Sequence, residues 1–136
     1  MSDIPRELYA RVHELALAIT NAVMADDEIL SRRELKSYHE EQVLLGTSHP
    51  FLTETLADFT EDPPEAVRLY QLSIRQSKAF PNQPLHTKRI ALGTRLLETG
   101  NREQAEAFLL DGLAEARILN DADAIAEAED ALEDLN

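Results

Sequence analysis

The 136-residue chain contains no cysteine, which excludes disulfides, thiolate nucleophiles and thiolate metal sites together. Packing alone must hold the fold. Tryptophan is also absent and aromatic residues make up only 5% of the chain. Leucine and alanine are left to fill the core, which favours helices over a β-sandwich. The longest uninterrupted apolar run, Leu15 to Ile19, spans five residues, far short of the roughly 18 that a membrane-crossing helix needs. The amino-terminal MSDIPRELYARV carries charges where a secretory signal would carry its apolar segment. A soluble, cytoplasmic protein is therefore expected. With 43% hydrophobic and 29% charged residues, the chain has enough apolar material for one ordered domain and is too short for two ordinary ones.

Bases are scarce, 13 against 26 acids, and they are unevenly placed. Residues 1–63 carry a formal charge of −8, residues 64–102 a charge of +5 and residues 103–136 a charge of −10. A chain with a net charge of −13 is repelled by nucleic acid and by anionic membrane, so neither is an expected partner. A basic protein, or an acidic peptide held by the middle segment, fits the charge pattern better.

Helix signals recur along the whole chain. Pro5 suits a first helical turn, and Leu8, Val12, Leu15, Ile19 and Val23 follow at three- and four-residue spacings, predicting a helix to about residue 25. Ser31-Arg32-Arg33-Glu34 has the form of a capping box, with Leu30 and Leu35 placed as its hydrophobic staple, predicting a second helix from Ser31 to a glycine stop at Gly46. Ser48-His49-Pro50 opens a third, short helix bearing Leu52, Leu56 and Phe59. In TEDPPEAVRLY, Asp62 is placed to cap, while Pro63 and Pro64 occupy the two helical positions whose amides lack partners in any case. The double proline therefore marks a tight break between two antiparallel helices. A fourth helix carries Ala66, Leu69, Tyr70 and Ile74. A fifth runs from Leu85 to Thr99, and a sixth is capped by Asn101 with Gln104. A seventh, after Asn120-Asp121, places Ile125, Ala128, Leu132 and Leu135 on one face. No alternating β-branched run competes with these signals.

The second half repeats. A shift of 39 residues superposes Ala66, Tyr70, Ser73 and Ile74 on Ala105, Leu109, Gly112 and Leu113, and a shift of 40 superposes Leu52 and Leu56 on Leu92 and Leu96. Such a period implies stacked helix pairs. From Leu92-Gly93 through the turn glycine Gly100 to Ala105, the chain resembles the tetratricopeptide repeat, and DPPEAVRLYQLSI is similar to the second helix of another such unit. Leu45-Gly46 followed by His49-Pro50 resembles the start of the longer repeat found in kinesin light chain proteins. The resemblance covers about residues 45–118. It departs from the family pattern at Thr53-Glu54, where a Leu-Gly pair is expected, and at Gly112, where alanine is customary. It implies an all-α fold of stacked antiparallel hairpins, a solenoid of about seven helices. An N-terminal hairpin would occupy residues 1–45, two repeat-like hairpins 46–118, and a capping helix 119–136. The family's clamp for carboxylate tails requires lysine and asparagine where this chain has Ile90 and Thr94.

Reactive motifs are absent: there is no glycine-rich phosphate loop, no His-Glu-x-x-His and no nucleophile elbow. His13, His39, His49 and His86 fall singly on different helices and read as packing or surface residues. The acidic runs Asp26-Asp27-Glu28 and Asp121-Ala122-Asp123 lack the glycine and ligand ladder of a calcium loop and suit helix N-termini instead. Tyr9, Tyr38 and Tyr70 read as core edges. The charge feature that points to binding is the basic middle: Arg68, Arg75 and Lys78 on the fourth helix, and Lys88, Arg89 and Arg95 on the fifth. These either face a ligand in the groove or pair with neighbouring acids. The expected function is non-catalytic and cofactor-free: a protein-binding module, most concretely an immunity or chaperone-type protein masking a basic toxin or effector. A homo-oligomeric scaffold and a small enzyme with an unfamiliar site are the alternatives.

Overall fold

A computed structural model describes residues 3–135, which form seven α-helices and one 3₁₀ turn. The helices are α1 (Arg6–Thr20), α2 (Ala25–Leu45), α3 (Pro50–Asp58), α4 (Pro63–Gln76), α5 (His86–Glu98), α6 (Arg102–Ile118) and α7 (Ala122–Glu133), with the 3₁₀ turn Ser77–Ala79 extending α4. Each helix packs chiefly on its neighbours in sequence; α5 also meets α7, and α1 meets α3.

The helix boundaries follow local chemistry. The Asp62 carboxylate accepts a hydrogen bond from the Glu65 amide at 3.2 Å, and α4 begins with Pro63 and Pro64. Asp121 caps α7 in the same way through the Ala124 amide. His49 caps α3 with its ring: Nδ1 accepts from the Phe51 amide at 3.0 Å, ahead of Pro50. Gly46 and Gly100 adopt left-handed backbone, φ 73° and 84°, which glycine reaches without strain. In both turns paired amides return to the last carbonyls, Gly46 to Val43 and Thr47 to Gln42, Gly100 to Leu97 and Asn101 to Leu96.

Three sequence expectations are corrected. Helix α2 begins at Ala25, so Ser31 lies inside it, the capping box does not form, and Leu30 is exposed while Leu35 is buried. The acids Asp26, Asp27 and Glu28 make up its first turn, where carboxylates favour the positive end of the helix dipole. The apolar stripe of α1 ends at Ile19, and Val23 lies beyond the helix, 93% exposed. Asn101 occupies the cap position of α6, but its amide donates to Thr99 Oγ1 instead of capping.

The core forms two connected clusters. Leu8, Val12, Leu15, Ile19, Leu35, Leu52, Leu56, Leu69, Tyr70, Leu92 and Leu96 make the larger. Ile90, Leu109, Leu113 and the alanines 116, 124, 128 and 131 make the smaller, and Leu97 packs against both. In α7 the fully packed residues are thus alanines, with Ile125, Leu132 and Leu135 only half-buried. Helix α5 approaches α6 closely at two glycines. A Cβ on Gly93 would stand 2.7 Å from Leu109 Cγ, and one on Gly112 would stand 2.6 Å from Ile90 Cγ1. Gly112 departs from alanine because Ile90 occupies the space.

Candidate functional site

Residues of α3, α4, α5 and α7 converge on one polar region. Lys88 is fully buried; its ammonium lies 3.0 Å from Glu54 Oε1 and donates to the Pro84 carbonyl at 2.7 Å. The Thr87 hydroxyl donates to the other Glu54 oxygen, so two successive α5 residues grip one α3 carboxylate. One turn further along α3, Asp58 accepts a 2.5 Å hydrogen bond from the Tyr70 hydroxyl. Burial pushes the Asp58 carboxyl up to about 6, against the hydrogen bond from Tyr70, while Glu54 and Glu127 add to the rise and Arg95 opposes it. Asp58 keeps an open edge to solvent, which softens that desolvation. The Tyr70 phenol is raised, chiefly by burial and then by the Asp58 charge.

Across α5, partial desolvation of an otherwise exposed side chain, and then the Asp121 and Glu54 charges, raise the Glu127 carboxyl on α7. Asp121 is lowered, first by its 2.8 Å bond to His86 Nε2 and then by the Ala124 amide. Beside Glu127, α5 and α7 enclose a cleft of about 310 Å³, lined by Thr94, Leu97, Glu98, Glu127, Asp130, Ala131 and Asp134. Four carboxylates line it over an apolar floor of Leu97 and Ala131; Glu98 is also paired with Arg95, and Glu127, Asp130 and Asp134 make no ion pair among the described residues.

A second polar chain ties α2, α3 and α4 together. The Thr53 hydroxyl donates to Gln76 Oε1 at 2.7 Å, so its oxygen accepts from His39 Nε2 at 3.1 Å, and Gln76 Nε2 donates to Ser48 Oγ at 3.0 Å. Burial lowers His39, keeping the imidazole neutral in the Nε2–H form that this bond requires. His49, stacked at a tilt on Phe80, is likewise lowered by burial first, with Asp3 opposing and Lys88 assisting. Thr53, fully buried, spends its hydroxyl on this hydrogen-bond chain.

The six cations of the middle segment have different surroundings. Lys88 has no surface to offer a partner. Arg89 pairs with Glu115 at 3.1 Å, and Arg95 pairs with Glu98 at 3.0 Å and donates to the Thr60 carbonyl at 2.7 Å. Arg68 pairs with Glu65 within its own helix. Arg75 and Lys78 are exposed and make no ion pair among the described residues. The carboxylate cleft is not legible in the sequence because its members come from two helices about 30 residues apart. The acidic excess after residue 103 was the only signal.

No helix of the described residues is long and apolar enough to cross a membrane, and no cluster of three or more His, Asp or Glu among them is arranged to hold a metal ion. Comparison with protein-family models, with curated proteins and with solved structures gave no match to this chain.

Proposed function

We propose that the chain is a non-catalytic protein-binding module of tetratricopeptide-like build, in its most concrete form an immunity or chaperone-type protein that masks a basic toxin or effector. The repeat reading is supported by equivalent burial. Ala66 and Ala105, Tyr70 and Leu109, Ser73 and Gly112, Leu52 and Leu92, and Leu56 and Leu96 are all buried in their respective hairpins. In that architecture α3, α5 and α7 are the first helices of successive pairs, the ones that line a groove.

The observation that carries the functional reading is the α5/α7 cleft. Its carboxylates Glu98, Glu127, Asp130 and Asp134 surround an apolar floor, a setting that suits a lysine or arginine whose stem packs while its charged head is paired. Four of the six middle cations are already engaged internally, so the acidic surface is what remains for a partner. Long-range attraction to a basic protein then follows from the net charge of −13.

The test is capture of partners from the native cell with the parent chain and with a Glu127→Lys/Asp130→Lys variant. Both substituted residues are exposed, so the variant is expected to fold. A basic protein retained by the parent and lost by the variant is the expected result. Capture of acidic proteins only, or equal capture by both chains, would sink the reading.

A further inference from the structure

Helix α2 is the least covered helix of the fold. Of its 21 residues only Leu35 and His39 are buried, and both lie on the side facing α1 and α3. At about 100° per residue, a different set of side chains shares one exposed side: Ile29, Leu30, Arg33, Lys36, Ser37, Glu40, Val43 and Leu44. All eight are exposed, the four apolar ones at 48%, 55%, 50% and 88%. The three charged ones make no ion pair among the described residues, although most arginines elsewhere in the chain are paired. The order along the helix is apolar, cation, centre, anion, apolar.

Turned end for end, that order is complementary to itself, cation facing anion and apolar facing apolar, which selects the occupant. We propose that a second copy of this chain docks here, with the two α2 helices antiparallel about a two-fold axis passing between Lys36 and Ser37. Residues on the same flank then meet. Ile29 lies against the partner's Val43, Leu30 against the partner's Leu44 and Arg33 against the partner's Glu40, each contact occurring twice. Ser37, small and central, lets the helices approach. Leu30, Arg33 and Ser37 also line a groove of about 520 Å³ that reaches Arg11 of α1, and this groove receives the partner's Leu44.

A parallel pair would set Arg33 on Arg33 and Glu40 on Glu40, so charge enforces the antiparallel sense. Lys36 meets its own copy near the axis, and its flexible stem lets the ammonium swing outward into solvent. Helix α2 is about 31 Å long, and a single helix pair is a small interface, so the dimer is expected to be weak and to form with rising concentration.

Sedimentation velocity of the full chain at about 0.15 M salt tests this, with circular dichroism to confirm that each variant is folded. The parent chain is expected to dimerise with rising concentration. Arg33→Glu and Glu40→Arg are each expected to weaken the dimer at least tenfold, because each places like charges opposite one another. Mixing the two variants restores both ion pairs and should return a mixed dimer, as should the double variant with itself. A parent chain that stays monomeric at about 1 mM overturns the proposal and leaves the face to a different protein. So does a dimer that both single variants keep unchanged.

Discussion

Lys88 shows what burial does to a charge. It is 0% exposed, and its ammonium is satisfied by Glu54 and by the Pro84 carbonyl. Removing one member of such a pair leaves the other uncompensated, which typically costs about 3–5 kcal/mol. Lys88→Met should therefore lower stability by that order in chemical denaturation, and adding Glu54→Gln should return a good part of the loss. Equal midpoints for Lys88→Met and the parent would show the pair to be without consequence.

Asp58 makes a pH-dependent contribution of defined sign. Its folded value of about 6 lies above the ordinary 3.8, so the folded state holds the proton more tightly. Its contribution to stability is present below about pH 4 and is lost as pH rises through 6. Carboxyl NMR should give Asp58 a midpoint near 6, and Tyr70→Phe, by removing the donor that favours the carboxylate, should move it higher. The buried His39 and His49 are lowered and act oppositely. Their neutral forms contribute above roughly pH 6.5, and that contribution falls away in acid. In sequence Lys88 stands out only as one of six middle cations and Asp58 not at all, because the partners that define each, Glu54 and Tyr70, lie on other helices.

Among the elements, the ends were more legible than the faces. Asp62 with Pro63-Pro64, Gly46 and Gly100 act through their own backbone conformation and nearest amides, so their roles are local. The start of α2 misled because Ser31 and Glu34 satisfy a capping pattern that only a preceding chain break would activate, and the helix runs through it. Gly112 belongs to the packing instead. Alanine there gains up to about 1 kcal/mol of helix propensity, but its Cβ would stand 2.6 Å from the buried Ile90 and close to two backbone atoms. Gly112→Ala should lower stability by about 1 kcal/mol net, and thermal unfolding will show whether propensity wins instead. Ala66, also 0% exposed, should lose about 1–3 kcal/mol on replacement by leucine.

For the whole molecule the charge distribution matters more than any single pair. With −8 and −10 at the two ends and the middle cations mostly paired, the long-range field is acidic. Association with the basic partner proposed above should therefore slow steeply as ionic strength rises, with a smaller effect on dissociation. Stopped-flow measurement of both rates against salt checks this, and a salt-independent association rate would contradict it.

Composition and periodicity alone determined that the chain is helical, and local chemistry marked the turns at Gly46, Asp62-Pro63-Pro64 and Gly100. These depend on residues within one turn of each other. Which charges are spent inside the fold, which carboxylates face each other across the α5/α7 cleft, and which side of α2 is left uncovered were decided by tertiary packing. Each depends on how helices far apart in sequence are rotated about their axes, and that rotation is set by close approaches such as Gly93 on Leu109 and Gly112 on Ile90.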